Sequence, residues 1–354
     1  MILKTYRVNI LVTLVRLLFH MKLTKFDYEL PEEKIAQQPK RPRDESKLFY
    51  LGRGEKKHLK FKDIVSFFKE GDVLVKNESK VIPAKIEGEK DTGGKIEVLF
   101  NRKVENGWEC LITGSNINEG RYIVLNGKDY EIVEDLKEGY FVIDCNDAEK
   151  LMNEAGEMPT PPYIKKGLES PDEYQTVYAE KEGSVAAPTA GFHFTQDLIS
   201  QIKDKGVEVH DITLHVGPGT FLPVKEEDIE EHDIGEEYFE VGKKTADAIT
   251  KANEEGRRVI LVGTTTVRAV ESAAENGVVT PKKGWTDLYI YPGYEFQSQM
   301  DLLLTNFHLP KSTLVMLVSA FAGRERILKA YQEAVERDYR FYSFGDSMLI
   351  EGKE

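Results

Sequence analysis

Five short blocks between Ser184 and Met348 collect the residue types that can do chemistry. They are Ser184-Val-Ala-Ala-Pro-Thr-Ala-Gly-Phe-His-Phe-Thr195, Thr213-Leu-His-Val-Gly-Pro-Gly-Thr-Phe-Leu-Pro223, Gly263-Thr-Thr-Thr-Val-Arg-Ala-Val-Glu-Ser272, Thr305-Asn-Phe-His-Leu-Pro-Lys-Ser-Thr313 and Tyr339-Arg-Phe-Tyr-Ser-Phe-Gly-Asp-Ser-Met348. Three of them carry one histidine each, His193, His215 and His308, and the last carries Asp346 after Gly345. Imidazole and carboxylate groups are the usual carriers of protons near neutral pH, so these four are the acid–base candidates. The third block sets Gly263, Thr264, Thr265 and Thr266 between an apolar run and a helical pattern, followed by Arg268 and Glu271. A helix start offers unpaired N–H groups and a positive dipole end, which suits a carboxylate or phosphate, with hydroxyls and one guanidinium to help.

Several familiar chemistries are disfavoured by spacing. The chain has neither the Walker A nor the G-x-G-x-x-G glycine pattern, so a nucleoside triphosphate or dinucleotide reading is weak. It has no H-E-x-x-H and no two histidines at i, i+4, so no metal is expected. The nucleophile elbow G-x-S-x-G is missing as well, which ranks a serine hydrolase low. Glu271 reads either as a ligand contact or as a complement to the helix dipole, and Asp346 either as a proton carrier or as a cap. Aromatic residues beside Gly and Pro, among them Tyr163, Phe192 and Tyr342, supply faces on which bases could stack.

These groups must be positioned by a scaffold, and the chain spells one out. From about Tyr163 the pattern alternates: helix 196–205, strand 207–215, helix 244–254, strand 258–262, helix 267–275. That grammar predicts α/β packing. From Val81 to Asp144 the period changes to two, over six short runs separated by Gly-Gly, Asn-Gly and Glu-Gly turns, which predicts a small antiparallel β-barrel. The fold class expected is therefore an α/β main domain (21–78 with 160–354) carrying an inserted small antiparallel β-barrel domain (79–159).

With 354 residues, 40% of them hydrophobic and 31% charged, the chain can bury two cores. Its two cysteines, Cys110 and Cys145, form no paired motif, and a reducing, cytoplasmic setting is expected. The net charge of −13 argues against nucleic acid, but its distribution is uneven. Residues 34–62 hold ten Lys and Arg against three Asp and Glu, whereas 225–240 hold one base against nine acids. The first segment supplies Lys40, Arg41, Arg43 and Lys47 as candidates for a nucleic-acid backbone, and the second reads as a solvated face or a counter-charge. Residues 1–20 combine Lys4, Arg7 and Arg16 with a short apolar run that Arg16 interrupts, too short to span a bilayer. We read them as an upstream extension and Met21 as the opening of the protein proper.

Taken together, the blocks resemble the S-adenosylmethionine:tRNA ribosyltransferase-isomerases of queuosine biosynthesis. The likeness extends to Phe26-Asp-Tyr-Glu-Leu-Pro, Ile35-Ala-Gln-Gln-Pro, Gly71-Asp-Val-Leu-Val-Lys-Asn, Met158-Pro-Thr-Pro-Pro-Tyr-Ile and Tyr174-Gln-Thr-Val-Tyr-Ala. It implies transfer and isomerisation of the ribosyl part of S-adenosylmethionine onto 7-aminomethyl-7-deazaguanine at the tRNA wobble position. Epoxyqueuosine-tRNA forms, and adenine and methionine are released. S-adenosylmethionine is then a consumed co-substrate and no cofactor is expected; the partner is tRNA, no membrane is involved, and the chain is expected to act as a monomer. Within that reading, Gly263 to Thr266 with Arg268 and Glu271 are the donor-site candidates, His193, His215, His308 and Asp346 the acid–base candidates, and Lys40, Arg41, Arg43 and Lys47 the tRNA contacts. The readings that compete are another nucleoside-modifying transferase on the same scaffold and a non-catalytic RNA-binding protein that uses the barrel.

Overall fold

A computed structural model describes residues 20–353. All of the expected extension but His20 therefore lies outside the described residues. Nine strands form one mixed sheet in the order 282–286, 237–241, 208–214, 73–77, 259–262, 302–306, 347–351, 47–51, 56–60. Its centre is parallel: 208–214, 73–77, 259–262 and 302–306 run the same way. Strands 237–241 and 282–286 add antiparallel pairings on one side, and 347–351 returns antiparallel to 302–306 on the other.

Central parallel strands are covered on both faces, so they read as continuous apolar runs, as Val259–Val262 and Leu302–Leu304 do. Alternation then sorts each residue to a face. Val73, Val75, Val259, Leu261 and Leu303 enter one core, together with Ile249, Val267 and Val318 from three of the covering helices. Leu74, Ile260, Val262 and Leu304 enter the other, against Leu198 and Ile202 of the helix Gln196–Asp204 and Phe61 and Ile64 of a 3-10 segment.

The barrel closes in the order 140–143, 107–113, 95–104, 85–90, 122–125, 128–137. It buries a core of its own around Ile86, Val98, Phe100, Cys110 and Ile132, onto which the helix Ala148–Ala155 packs Leu151 and Met152. Asn126 and Gly127 both take positive φ, 47° and 75°, at the tight turn between two of its strands. That is the geometry an Asn-Gly hairpin turn requires and few other residue pairs tolerate. The strand Ser79–Val81 does not join the barrel; it pairs in parallel with Lys181–Ser184, so the chain leaves and re-enters the main sheet side by side. We keep 79–159 as the proposed inserted domain because the barrel strands lie within it, with all of their buried core but Val185.

One expected helix shifts: the third block's helix runs from Thr264 to Ser272, three residues earlier than 267–275. The earlier start follows from Gly263, whose φ of 87° ends the strand and opens the helix without a transition. Among the described residues, no helix is long and apolar enough to cross a membrane.

Candidate active site

One cavity opens at the carboxyl ends of the parallel strands, where Val216 and Gly263 follow a strand and Asn306 ends one. Ligands in open α/β sheets bind at this edge, because loops there converge over the sheet and helix N-termini point toward them. All five blocks line the cavity, through Ala186–Ala190, Val216 with Gly219 and Thr220, Gly263–Thr265, Asn306–His308 and Tyr342–Ser343, and the acidic segment closes it with His232, Ile234 and Glu237.

Gly263, Thr264 and Thr265 stand on the wall. The first N–H groups of an α-helix have no partner within it and are free to meet an anion. Thr265 Oγ1 accepts from Asn77 Nδ2 at 3.3 Å, whereas Thr266 is fully buried and its hydroxyl donates to the Val262 carbonyl at 2.5 Å. Thr266 therefore ties its helix to the strand before it and has no donor left for a ligand. Arg268 also reaches the wall, but buried and paired: Nη1 meets the Glu237 carboxylate, Nε donates to the Leu288 carbonyl at 2.9 Å and Nη2 to the Thr286 carbonyl at 3.4 Å. Glu237 accepts from the Gly217 N–H at 2.9 Å with its other oxygen. The cavity thus presents a cation and an anion side by side.

Glu271 does not line the cavity. Its carboxylate accepts from the N–H groups of Gln297 (2.7 Å) and Ser298 (3.1 Å), the Tyr294 hydroxyl (3.0 Å) and the Ser298 hydroxyl, which fastens that loop to the helix. Asp346 is similar: buried, it accepts from the backbone N–H groups of Lys47 (2.9 Å) and Arg340 (2.8 Å), holding the last strand's entry in place. Both carboxylates act as local clamps; Glu271 stands in the last turn of the helix Thr264–Ser272, so it does not supply the expected complement to the dipole at the helix start.

The three histidines are not brought together. His193 Nε2 lies 3.2 Å from Asn306 Oδ1, and the Asn306 amide donates to the carbonyls of Tyr342 and Ser343 at 2.8 and 3.2 Å. The asparagine oxygen must therefore accept, so His193 Nε2 carries the proton and Nδ1 accepts from Ser46 Oγ at 2.7 Å. Burial lowers its pKa to about 4, against the raising effect of the Asn306 bond. His308 lines the cavity, yet its ring nitrogens meet the Tyr331 hydroxyl (3.0 Å) and Thr305 Oγ1 (3.1 Å), and burial lowers it to about 3. His215 sits away from the cavity wall, with Nδ1 2.8 Å from Ser79 Oγ and its ring stacked on Tyr238 at 5.7 Å; burial, then Lys181, lowers it to about 4.

The basic candidates divide in two. Lys40 and Arg41 are exposed, Arg41 pairing with Glu173 at 2.6 Å. Arg43 instead donates to the carbonyls of Gln175 and Asp172, both at 2.8 Å, and Lys47 to those of Arg337 and Asp338 at 2.9 and 2.8 Å. Lys40 and Arg43 border a small cleft that shares Ser343 with the cavity at the sheet edge.

Sequence reasoning missed Glu237, Asn306 and His232 as cavity residues. Asn306 stands inside the fourth block, two residues before His308. Glu237 and His232 lie in the acidic run, where net charge masks single side chains. The available signal was position: the run begins directly after the Gly-Pro-Gly block and ends in a strand, so it had to cross the carboxyl edge of the sheet.

Comparisons with known proteins agree with this architecture. Residues 23–350 match the family described as "Queuosine biosynthesis protein". A curated relative from Carboxydothermus hydrogenoformans, named S-adenosylmethionine:tRNA ribosyltransferase-isomerase, is 51% identical over 341 residues, covering 93% of this chain and all of the relative. A protein of the same name from Desulfitobacterium hafniense is 50% identical over 344 residues with the same coverage. A crystal structure described as S-adenosylmethionine tRNA ribosyltransferase from Thermotoga maritima is 38% identical, covers 92% of this chain and 99% of that one, and superposes with a TM-score of 0.54. On a match that runs nearly end to end, with the barrel and mixed sheet folded as its sequence predicted, this chain belongs to the queuosine biosynthesis protein family.

Proposed function

We propose that this chain transfers and isomerises the ribosyl moiety of S-adenosylmethionine onto 7-aminomethyl-7-deazaguanine at the tRNA wobble position. Epoxyqueuosine-tRNA is the product, and adenine and methionine leave. The observation that carries the reading is the paired Arg268 and Glu237 in a cavity headed by the Gly263 helix start. The methionine end of the donor is a zwitterion. Its carboxylate suits the guanidinium and the first-turn N–H groups of Thr264 and Thr265; its ammonium suits Glu237. Burial of both side chains makes this recognition strong, since few water dipoles compete.

The donor's sulfonium acidifies the adjacent C5′ position and activates its own leaving group, so neither a metal nor a cofactor enters the scheme. Of the sequence-derived acid–base candidates, His308 is the one on the wall, and its occupied nitrogens give it the task of holding the Thr305–His308 turn. His193 holds Asn306, and through it the Tyr342–Ser343 turn, against the cavity. Lys40 and Arg41 are the exposed tRNA contacts; Arg43 and Lys47 shape the surface that carries them. The test is to incubate the purified chain with S-adenosylmethionine and tRNA bearing 7-aminomethyl-7-deazaguanine, then assay free adenine and the modified nucleoside by mass spectrometry. Adenine and epoxyqueuosine in equal amounts are expected. Binding of the tRNA without either product would favour a non-catalytic RNA-binding protein.

A further inference from the structure

The reaction proposed above needs a group that can take a proton at the cavity; His193 and His308 have both ring nitrogens engaged, and His215 does not line the wall. A free lone pair is found in the acidic segment instead. His232 lies on the cavity wall with its side chain 15% exposed. Its Nδ1 is 2.8 Å from Glu226 Oε2, and the edge of Tyr289 packs against the ring at a centroid distance of 5.8 Å. The loop that presents it is anchored by Ile229, which is fully buried. The Glu226 carboxyl is held below the usual carboxylate range by donation from backbone N–H, to which His232 adds.

An ionised carboxylate can only accept, so Nδ1 must donate, and the neutral imidazole keeps its lone pair on Nε2. Among the described residues, Nε2 has no hydrogen-bond partner, in contrast to both nitrogens of His193 and His308. An imidazole oriented by a carboxylate, with the second nitrogen open to a cavity, is the arrangement of a general base whose cationic form is stabilised in advance.

We propose that His232 is the proton acceptor of this active site and that Glu226 is its positioning residue. The inference rests on the ribosyl-transfer reading. Nε2 takes a proton from C5′ of the donor; the electron pair of the broken C–H bond stays on that carbon, next to the sulfonium. The imidazolium so formed is balanced by Glu226. The pair retained on C5′ then forms C4′=C5′ as C4′–O4′ breaks, the O4′ pair closes C1′=O4′, and the glycosidic bond breaks with its pair on adenine, to which the imidazolium returns its proton.

The experiment compares the wild-type chain with His232→Gln, His232→Ala and Glu226→Gln on S-adenosylmethionine and tRNA bearing 7-aminomethyl-7-deazaguanine, following adenine release, with thermal unfolding of each variant alongside. His232→Gln should lower kcat by about 100-fold with little change in the donor KM. Glu226→Gln, isosteric with the native side chain, should lower it by about 10-fold, the scale found when the partner that orients an imidazole is lost. Added imidazole should restore part of the His232→Ala turnover, which a loss of packing would not allow. Near-native kcat in folded His232→Gln, or a loss confined to KM, overturns the proposal. Should the histidine variants unfold, native kcat in Glu226→Gln overturns it in their place. No adenine from the wild-type chain rejects the ribosyl-transfer reading and this inference with it, whereas a wild-type rate alongside an unimpaired His232→Gln rejects this inference alone.

Discussion

The glycine- and proline-rich blocks and the acidic segment 225–240 meet across one cavity, and they use their polar side chains in opposite ways. In the blocks, His193, His308, Thr266 and Asp346 spend their hydrogen bonds on the protein itself. They hold turns at the sheet edge in register, and burial keeps the two imidazoles neutral. In the acidic segment, Glu237 faces the cavity beside Arg268, and His232 keeps one nitrogen free. A dense motif therefore marks a shaped wall, while the capacity to react sits where a side chain has an unused valence.

The sharpest way to break this contrast is at the pair that joins the two regions. Arg268→Ala leaves Glu237 buried without its partner, which should cost about 3–5 kcal/mol in urea denaturation and raise the donor KM. Removing both groups together should cost less stability than removing Arg268 alone, although donor binding stays impaired. A loss below about 1 kcal/mol for Arg268→Ala would mean that water already reaches the pair.

Acid should distinguish the regions next. His193 and His215 are lowered to about 4 and His308 to about 3, whereas the unfolded chain binds those protons near 6.5. Below that pH the unfolded state holds more protons than the folded one, so stability is retained above about 6.5 and falls as the pH drops toward 4 and then 3. Each histidine contributes a slope of up to about 1.4 kcal/mol per pH unit. Denaturant midpoints measured between those limits would test it, and a flat profile would show that these imidazoles are not buried neutral groups.

His308→Phe gives a smaller effect of the same kind. Loss of its bonds to Tyr331 and Thr305 should destabilise by about 1–3 kcal/mol. The turnover of the folded fraction should fall far less than in His232→Gln; equal losses of kcat would erase the distinction between wall and reactive group. The mildest test is on the exposed cations. Lys40→Ala with Arg41→Ala should leave stability nearly unchanged and weaken tRNA binding, reducing the salt slope by about 0.7–0.9 for each phosphate contact removed. An unaltered slope would move the tRNA contact elsewhere on the surface.

What the sequence determined by itself was whatever is set by local pattern. Alternation over 81–144, with Asn126-Gly127 in the left-handed region, specified hairpins that could close into a barrel, and continuous apolar runs such as Val259–Val262 specified buried parallel strands. Gly263 before three threonines specified a helix start at a strand end, which tertiary packing then turned toward the cavity. The tertiary structure alone decided which polar groups remain available. The partners of His193 lie 147 and 113 residues away in Ser46 and Asn306, and that of Arg268 lies 31 residues away in Glu237. His232 finds Glu226 only six residues back, but its unpartnered nitrogen is useful because the fold brings the side chain to the cavity wall. Residue type and spacing reveal what a side chain can bond; only the fold reveals what it has already bonded, and a proton can be taken only by a group with a lone pair still free.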